Sequence, residues 1–318
     1  MRAEDVTDLD WYLDKVVVPS DIERREVGPV RAWQGSWAAL AHRLGVEADE
    51  SPVGDAVRLA LTQGFVLGRA QVRGSGVTDA TLRRTIRHGD WTSRGHGSVA
   101  VVSRSDLDRV GEEHDQRRRE HALQCAAAVQ RKPGHLIAVA SAAVVHGLPV
   151  LTLPSLPELA TVATTSGRRH ASHVRIAELG PDEVTDWFGA PTITADRTVV
   201  DLARSDARSG LMAADAALHE GVVGSEGITR SLQRSAGLFG VRRARDVLAL
   251  ASHLIESPLE SLTHLALHDS GFPPPELQRK IRGFDGKAYR VARVTWTDVL
   301  HQWPATSSWL RALMASTR

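Results

Sequence analysis

The chain of 318 residues has a single cysteine, Cys125, so no disulfide can form within it. That scarcity fits a reducing cytosol, and a chain of this length can bury a core without disulfide staples. Long apolar runs are also missing. The longest, Ala138–Val145 and Val247–Ala251, are far too short for a membrane span, and the acidic N-terminus has no signal-peptide pattern. These absences predict a cytoplasmic protein with no membrane partner. Nucleotide chemistry is missing too. Gly74-Ser75-Gly76 and Gly95-His96-Gly97 are too short for a phosphate loop and lack its lysine and hydroxyl, and no G-x-S-x-G elbow occurs. Cys125 sits in an alanine-rich stretch without an obvious base, which reads as a small buried residue rather than a nucleophile. No cofactor is expected.

What is present is a charge cancellation. The net charge of +1 conceals six basic against twelve acidic residues over 1–55, a net of −6. Residues 56–104 carry eight arginines against Asp79 and Asp90, a net of +6. An acidic head beside a basic segment is the electrostatic outline of a nucleic-acid module; the alternative is two solvated faces of opposite sign.

The order of elements gives the basic segment a shape. In the acidic extension, residues 1–54, Trp33–Leu44 has helical spacing and Gly45 stops it, while Ser51-Pro52 and Gly54 read as a linker. Over 55–104, Asp55 can cap a helix through Leu61 closed by Gly64, and a short helix follows over Arg69–Arg73. Thr78 then caps Asp79–His88, with Leu82 and Ile86 facing inward. Ala80, Thr81, Arg84, Arg87 and His88 project outward, with Arg83 at the flank. Gly89 ends that helix, and Trp91–Arg94 and Ser98–Val102 alternate like strands about the glycine-rich tip. This is the order of a winged helix-turn-helix. Arg83, Arg84 and Arg87 would contact DNA beside His88, Thr78 and Thr81 would position the helix, and Arg94 and His96 would lie on the wing. A protein-docking module is the alternative use of the same shape.

Residues 105–255 read as an α+β middle domain. Asp108–Gln130 is helical, and His135–Val145 holds a strand and a helix that Ser141 can cap. Leu159–Thr164 and Val174–Leu179 read as strands about the basic turn Gly167-Arg168-Arg169. Asp196–Ala203, Leu211–Glu220, Glu226–Gln233 and Val241–Leu254 read as helices. Over 256–318, Ser257-Pro258-Leu259-Glu260 is a capping box that starts a helix to Asp269. Leu277–Arg282 and Tyr289–Trp296 alternate like strands about Asp285-Gly286, and Thr306–Ala315 closes the chain as a helix.

Candidate catalytic groups are sparse. His264 and His268 share a helical stripe with Glu260, but one helix rarely completes a metal site, and His170 with His173 is a weaker pair. A nuclease needs two or three carboxylates converging on a divalent metal. The only nearby acids, Asp285 at a turn and Asp298 after a strand, are not placed as such a pair. Neither a catalytic nor a metal residue is expected.

The motifs in combination resemble a family. LTQGFVLGRAQVRGSGVTDATLRRTIRHGDW over 61–91, SAAVVHGLPVL over 141–151, ADRTVVDLARSD over 195–206 and AADAALHEGVV over 213–223 are similar to AbiEi-type antitoxins of type IV toxin–antitoxin systems. ESPLESLTHLALHDSGFPPPELQ over 256–278 resembles the opening of the very-short-patch-repair-like endonuclease domain found in long relatives. In those relatives Y-R-V is followed by an aspartate, a second acid and a lysine-bearing helix. Here Tyr289-Arg290-Val291 runs almost directly into Val294-Thr295-Trp296, and of the family's acids only Glu260 carries over. The resemblance implies an α+β chain of three parts: a winged helix-turn-helix, a middle domain, and a small remnant of a restriction-endonuclease-like fold. It implies an antitoxin-like transcriptional regulator of its own or a neighbouring promoter, not an enzyme. The implied partners are double-stranded DNA, a nucleotidyltransferase-like toxin and a second copy of the chain. The rival functions are a metal-dependent endonuclease and an interaction module whose acidic head covers the basic segment.

Overall fold

The computed structural model describes residues 28–95, 97–111, 115–161, 179–278 and 292–315. Helices and strands alternate irregularly, an α+β chain, in two compact units. The first unit extends to Leu148 and resumes over Thr152–Thr198; the second comprises Pro149–Leu151 and Val199–Arg318. The expected boundaries at 54 and 104 fall inside the first unit, and that at 255 inside the second.

The first unit begins with α1 (Pro29–Glu47), which runs through Gly45 instead of stopping there. Its buried stripe of Val30, Trp33, Trp37, Leu40 and Ala41 outweighs the cost of its two glycines, Gly35 and Gly45, about 1 kcal/mol each. The Trp33 indole donates to the Val145 carbonyl (3.3 Å) and the Gln34 amide to that of His146 (3.0 Å). Residues 29–47 are therefore a core helix and not part of an extension. A truncation meant to remove the acidic head has to stop before Gly28.

Helix α2 (Pro52–Leu61) is capped by Ser51, whose hydroxyl accepts from the Gly54 amide (3.2 Å), with Pro52 in its first turn. The stretch expected to be a linker is this helix start, and Asp55 lies inside the first turn rather than at the cap. Then follow β1 (Val66–Gly68), α3 (Arg69–Gly74), α4 (Asp79–His88), β2 (Thr92–Ser93) and β3 (Ser98–Ala100). The three strands form an antiparallel sheet in the order β1-β3-β2, with Val66 and Thr92 both opposite Ala100. Strand β1 has no signature in the sequence: it is three residues long and fully or partly buried, so no alternation shows.

After α5 (Arg104–Leu107), α6 (Gln116–Arg131) packs against β1 and β3 and also against a second sheet. That sheet has the order β5 (Leu159–Thr161), β4 (His135–Ile137), β7 (Ala190–Ile193), β6 (Val184–Trp187), with only β4 and β7 parallel. The alanine-rich sequence of α6 has a packing cause. Ala122, Leu123, Cys125, Ala126, Ala127 and Ala128 are all buried, and small residues let neighbours approach on several sides. A Cβ on Gly64 would lie 2.7 Å from that of Ala126. Helix α7 (Val139–His146) starts before Ser141, which is a buried interior residue and not a cap. Its hydroxyl accepts from the Glu158 amide (2.9 Å) and meets His121 Nε2 (2.8 Å).

The second unit takes over within α8 (Ala195–Ser205) and continues with α9 (Ala207–His219), α10 (Ser225–Arg234), α11 (Val241–Leu248) and α12 (Pro258–Asp269). Helices α13 (Trp296–Leu300) and α14 (Trp303–Ala315) follow. Met212, Leu262 and Val299 form its core with Leu151, Leu259 and Leu300 around them. Helix α11 ends at Leu248, short of the expected Leu254, and the chain turns so that the Ser252 amide donates to Asp215 Oδ1 (2.8 Å).

The expected strand over Tyr289–Trp296 is corrected in its described part. Residues 292–295 form no strand, and Thr295 caps α13, with its backbone amide donating to Asp298 Oδ2 (2.8 Å). A T-x-x-D capping box outweighs the β preference of Val294 and Thr295. Leu277 and Gln278 lie in a turn. The rest of the Leu277–Arg282 strand, Asp285 and Tyr289–Val291 lie outside the described residues. So do Val174–Arg175-Ile176-Ala177-Glu178, the turn Gly167–Arg169, the pair His170 and His173, and His96.

Asp215 of α9 is buried against Ser252 and Ser261 near the charge of Glu260, and burial raises its pKa from 3.8 to about 6. A folded-state value above the unfolded one means that its contribution is complete below about pH 4 and is lost as pH rises through 6. Asp215→Asn keeps the acceptor for Ser252 and removes the charge. Its melting temperature is expected to exceed that of the wild type at pH 7.5, by an amount corresponding to about 1–3 kcal/mol, and the gap to close at pH 4. An equal difference at both values would contradict this.

Candidate nucleic-acid interface

Helix α4 owes its position to both of its ends. Thr78 caps it, its hydroxyl accepting from the Thr81 amide (3.1 Å) and meeting the Thr81 hydroxyl (3.0 Å). Gly89 closes it in the left-handed conformation at φ +86°, which glycine adopts without strain. Leu82 is fully buried and Ile86 half-buried, so the apolar edge faces inward as the spacing predicts. Arg83, Arg84, Arg87 and His88 are exposed, with no hydrogen bond or ion pair among the described residues.

One acid shares this face. Asp79 is bound by the forked Arg73 guanidinium, Nη2 to Oδ2 at 2.9 Å and Nε to Oδ1 at 3.2 Å. The Arg73 hydrogen bonds, with the nearby charges of Arg69 and Arg83, hold the Asp79 carboxyl below its usual range. The pair fastens α3 to α4 and cancels one charge, so the remaining field is positive. Arg69, exposed at the start of α3, joins this face through its effect on Asp79. In the sequence Arg69 is legible as charge only, because its helix is too short for periodicity to assign a face.

Arg94 is placed differently from the expectation. Its side chain is 6% exposed, ion-paired with Glu120 of α6, and its Nη2 donates to Thr92 Oγ1 (2.6 Å). Arg131 of α6 also donates to Ser98 Oγ (3.2 Å), so the β2–β3 hairpin is fastened to α6 through both strands. Arg94 is thus an anchor in this structure, not a free wing contact. Arg94→Ala is expected to cost about 1–3 kcal/mol of stability in a urea melt and to leave the salt dependence of nucleic-acid binding unchanged. A shallower salt dependence would return it to the interface.

The other chemistry-bearing groups assemble no comparable site. The hydroxyl and imidazole of Ser141 and His121 meet in the core, where burial lowers the His121 pKa to about 4. Cys125 beside them is fully buried, and its thiol is pushed up to about 12. Neither group reaches solvent. Glu260 accepts from the Ser257 hydroxyl (3.0 Å) and the Glu256 amide (3.1 Å), and Asp298 serves the cap of α13. Desolvation and the neighbouring His268 lower the His264 pKa. Among the described residues no three His, Cys, Asp or Glu side chains converge as a metal set. A cleft of about 550 Å³ between α1, α2 and α5 is lined by Glu47, Asp49, Asp90 and Asp106 with Arg43, a charge unsuited to phosphate. No described helix is long and apolar enough to cross a membrane.

A scan against protein families finds no match for the chain. Two relatives, both of Mycobacterium tuberculosis, match part of it. Uncharacterized protein MT2308 of strain CDC 1551 / Oshkosh is 35% identical over 103 residues, 32% of this chain and 38% of that protein. Uncharacterized protein Rv2248 of strain H37Rv gives the same identity and the same shares. The chain spans about 38% of the length of the relatives it matches.

Proposed function

We propose that the chain is a DNA-binding transcriptional regulator, antitoxin-like, that acts on its own or a neighbouring promoter through a winged helix-turn-helix over 52–102. The observation that carries this reading is the outward face of α4, where Arg83, Arg84, Arg87 and His88 stand exposed and unpaired among the described residues. Supporting it, the order α2, β1, α3, α4, β2, β3 with sheet order β1-β3-β2 is compatible with the order expected of a winged helix-turn-helix. A helix of ten residues is about 15 Å long and fits a major groove about 12 Å wide. Arginine forks match the N7 and O6 acceptors of guanine, so Arg84 and Arg87 read bases and Arg83 neutralises phosphate. Thr78 and Thr81 set the helix start. Two copies on paired half-sites, and a nucleotidyltransferase-like toxin as protein partner, belong to the same reading through the antitoxin resemblance.

The nuclease-like tail is read as non-catalytic, because Glu260, the one family acid that the resemblance carries over, is engaged in the cap of α12, and Asp298 in that of α13. The test is a gel shift of the full chain on its upstream DNA and on a scrambled duplex of equal length. A preference for the upstream DNA that vanishes in Arg84→Ala/Arg87→Ala supports the reading. A preference that survives in that variant defeats it.

A further inference from the structure

The second unit displays a surface that the α4 reading does not use. Helices α10 and α11 are joined by a turn carrying two glycines in the left-handed region, Gly237 and Gly240, both at φ +82°. Between them Phe239 is 89% exposed, the largest exposure among the exposed large apolar side chains described. The turn is built, not loose. Arg204 Nε donates to the Phe239 carbonyl (3.0 Å), and Arg243 Nη1 to that of Ser205 (3.3 Å). A Cβ at Gly240 would stand 2.3 Å from the Arg204 carbonyl oxygen, so only glycine permits the approach. The fold therefore holds a phenylalanine ring in water beside the start of α11.

The helices on either side of the turn carry a net positive charge, with the exposed Asp246 the one acid of α11. Arg242 and Arg245, at i and i+3 of α11, are exposed and share a face, and neither has a hydrogen bond or ion pair among the described residues. Arg230 of α10 is likewise exposed. Over 225–248 five arginines face Glu226 and Asp246, a net of +3. Helix α11 has no acid in its first turn and no side-chain cap, so its dipole adds to the positive field.

From this juxtaposition we propose that Phe239 with Arg242 and Arg245 forms a second nucleic-acid contact, in which the arginines bind the phosphate backbone and the ring packs on a base. Guanidinium forks suit phosphate, and an aromatic ring among them stacks on any base, so the contact adds affinity without sequence preference. An anionic membrane is the poorer fit. An interfacial helix presents a row of large apolar residues, whereas the exposed positions of α10 and α11 are polar or charged. The proposal stands apart from the α4 reading: α4 supplies sequence preference, and this face supplies backbone affinity.

The experiment is fluorescence anisotropy of the full chain with its upstream duplex, an unrelated duplex and an unrelated single strand, over a salt series. It compares the wild type, Phe239→Ala/Arg242→Ala/Arg245→Ala and Arg84→Ala/Arg87→Ala. All three substituted residues are exposed, and Arg243, which ties the turn to α8, stays in place. The triple variant is expected to bind all probes of the favoured form about tenfold more weakly, with a salt slope shallower by about 2 and an unchanged preference for the upstream duplex. A larger loss on the single strand assigns the ring to unpaired bases, and a larger loss on duplex assigns it to duplex DNA; either outcome supports the contact. Wild-type affinity and slope in the triple variant overturn it. So does a triple variant changed only in self-association by sedimentation, or only in binding to vesicles of anionic phospholipid. Loss of preference in Arg84→Ala/Arg87→Ala reports on α4 alone, so the two readings fail separately.

Discussion

Trp37→Ala is expected to cost about 3–5 kcal/mol, a large share of the roughly 5–15 kcal/mol that stabilises a domain. Trp37 is fully buried, and its ring centroid lies 5.9 Å from that of Trp33, 5.1 Å from Phe65 and 5.0 Å from Trp187. These contacts join α1, the residue before β1 and the end of β6. Phe65 and Phe188 are both at positive φ, +66° and +49°, conformations that cost about 1–3 kcal/mol each and persist only under close packing. The Trp37 indole nitrogen has no acceptor among the described residues, so its truncation removes packing and not a hydrogen bond. In urea, monitored by circular dichroism, the midpoint should fall steeply for Trp37→Ala. Trp309→Ala, at a side chain 48% exposed, should stay within about 0.5 kcal/mol of the wild type. Equal midpoints would mean that α1 is not a core helix.

The second large effect concerns binding. Arg83→Ala/Arg84→Ala/Arg87→Ala is expected to weaken binding to the upstream duplex by at least about 30-fold at physiological salt. Two base-reading forks at roughly 1–3 kcal/mol each account for that factor, since about 1.4 kcal/mol is tenfold. The third arginine adds a phosphate contact, seen as a salt slope shallower by about 1. All three side chains are exposed, so the fold should be unaffected and circular dichroism unchanged. Arg73→Ala changes charge and architecture together. It frees the Asp79 carboxylate on the same face, places a negative charge where the field was neutralised, and unfastens α3 from α4.

The parts legible in the sequence were those with strong local signals. The bounds of α4 follow from Thr78 and Gly89, and the start of α12 follows from Ser257, Pro258 and Glu260. The illegible parts were decided at long range. Strands β1, β6 and β7 are too short to alternate, and their pairing comes from distant segments, as with Ile137 opposite Thr192. The helical spacing of Trp33–Leu44 was visible, but its place in the core was not, because that depends on two tryptophans meeting partners more than a hundred residues away, as Trp33 meets Val145. Arg94 looked like a wing residue because its hairpin position was visible and its partner, Glu120, was not. Phe239 was passed over because exposure cannot be read from one apolar residue between glycines.

The central claim is that the outward face of α4 lies against DNA. Its most direct test is arginine modification of the full chain by a guanidinium-directed reagent, with and without the upstream duplex, read residue by residue by mass spectrometry. Arg83, Arg84 and Arg87 are expected to react freely alone and to be protected in the complex, while Arg94 reacts slowly in both. Full reactivity of Arg84 and Arg87 in a saturated complex would contradict it.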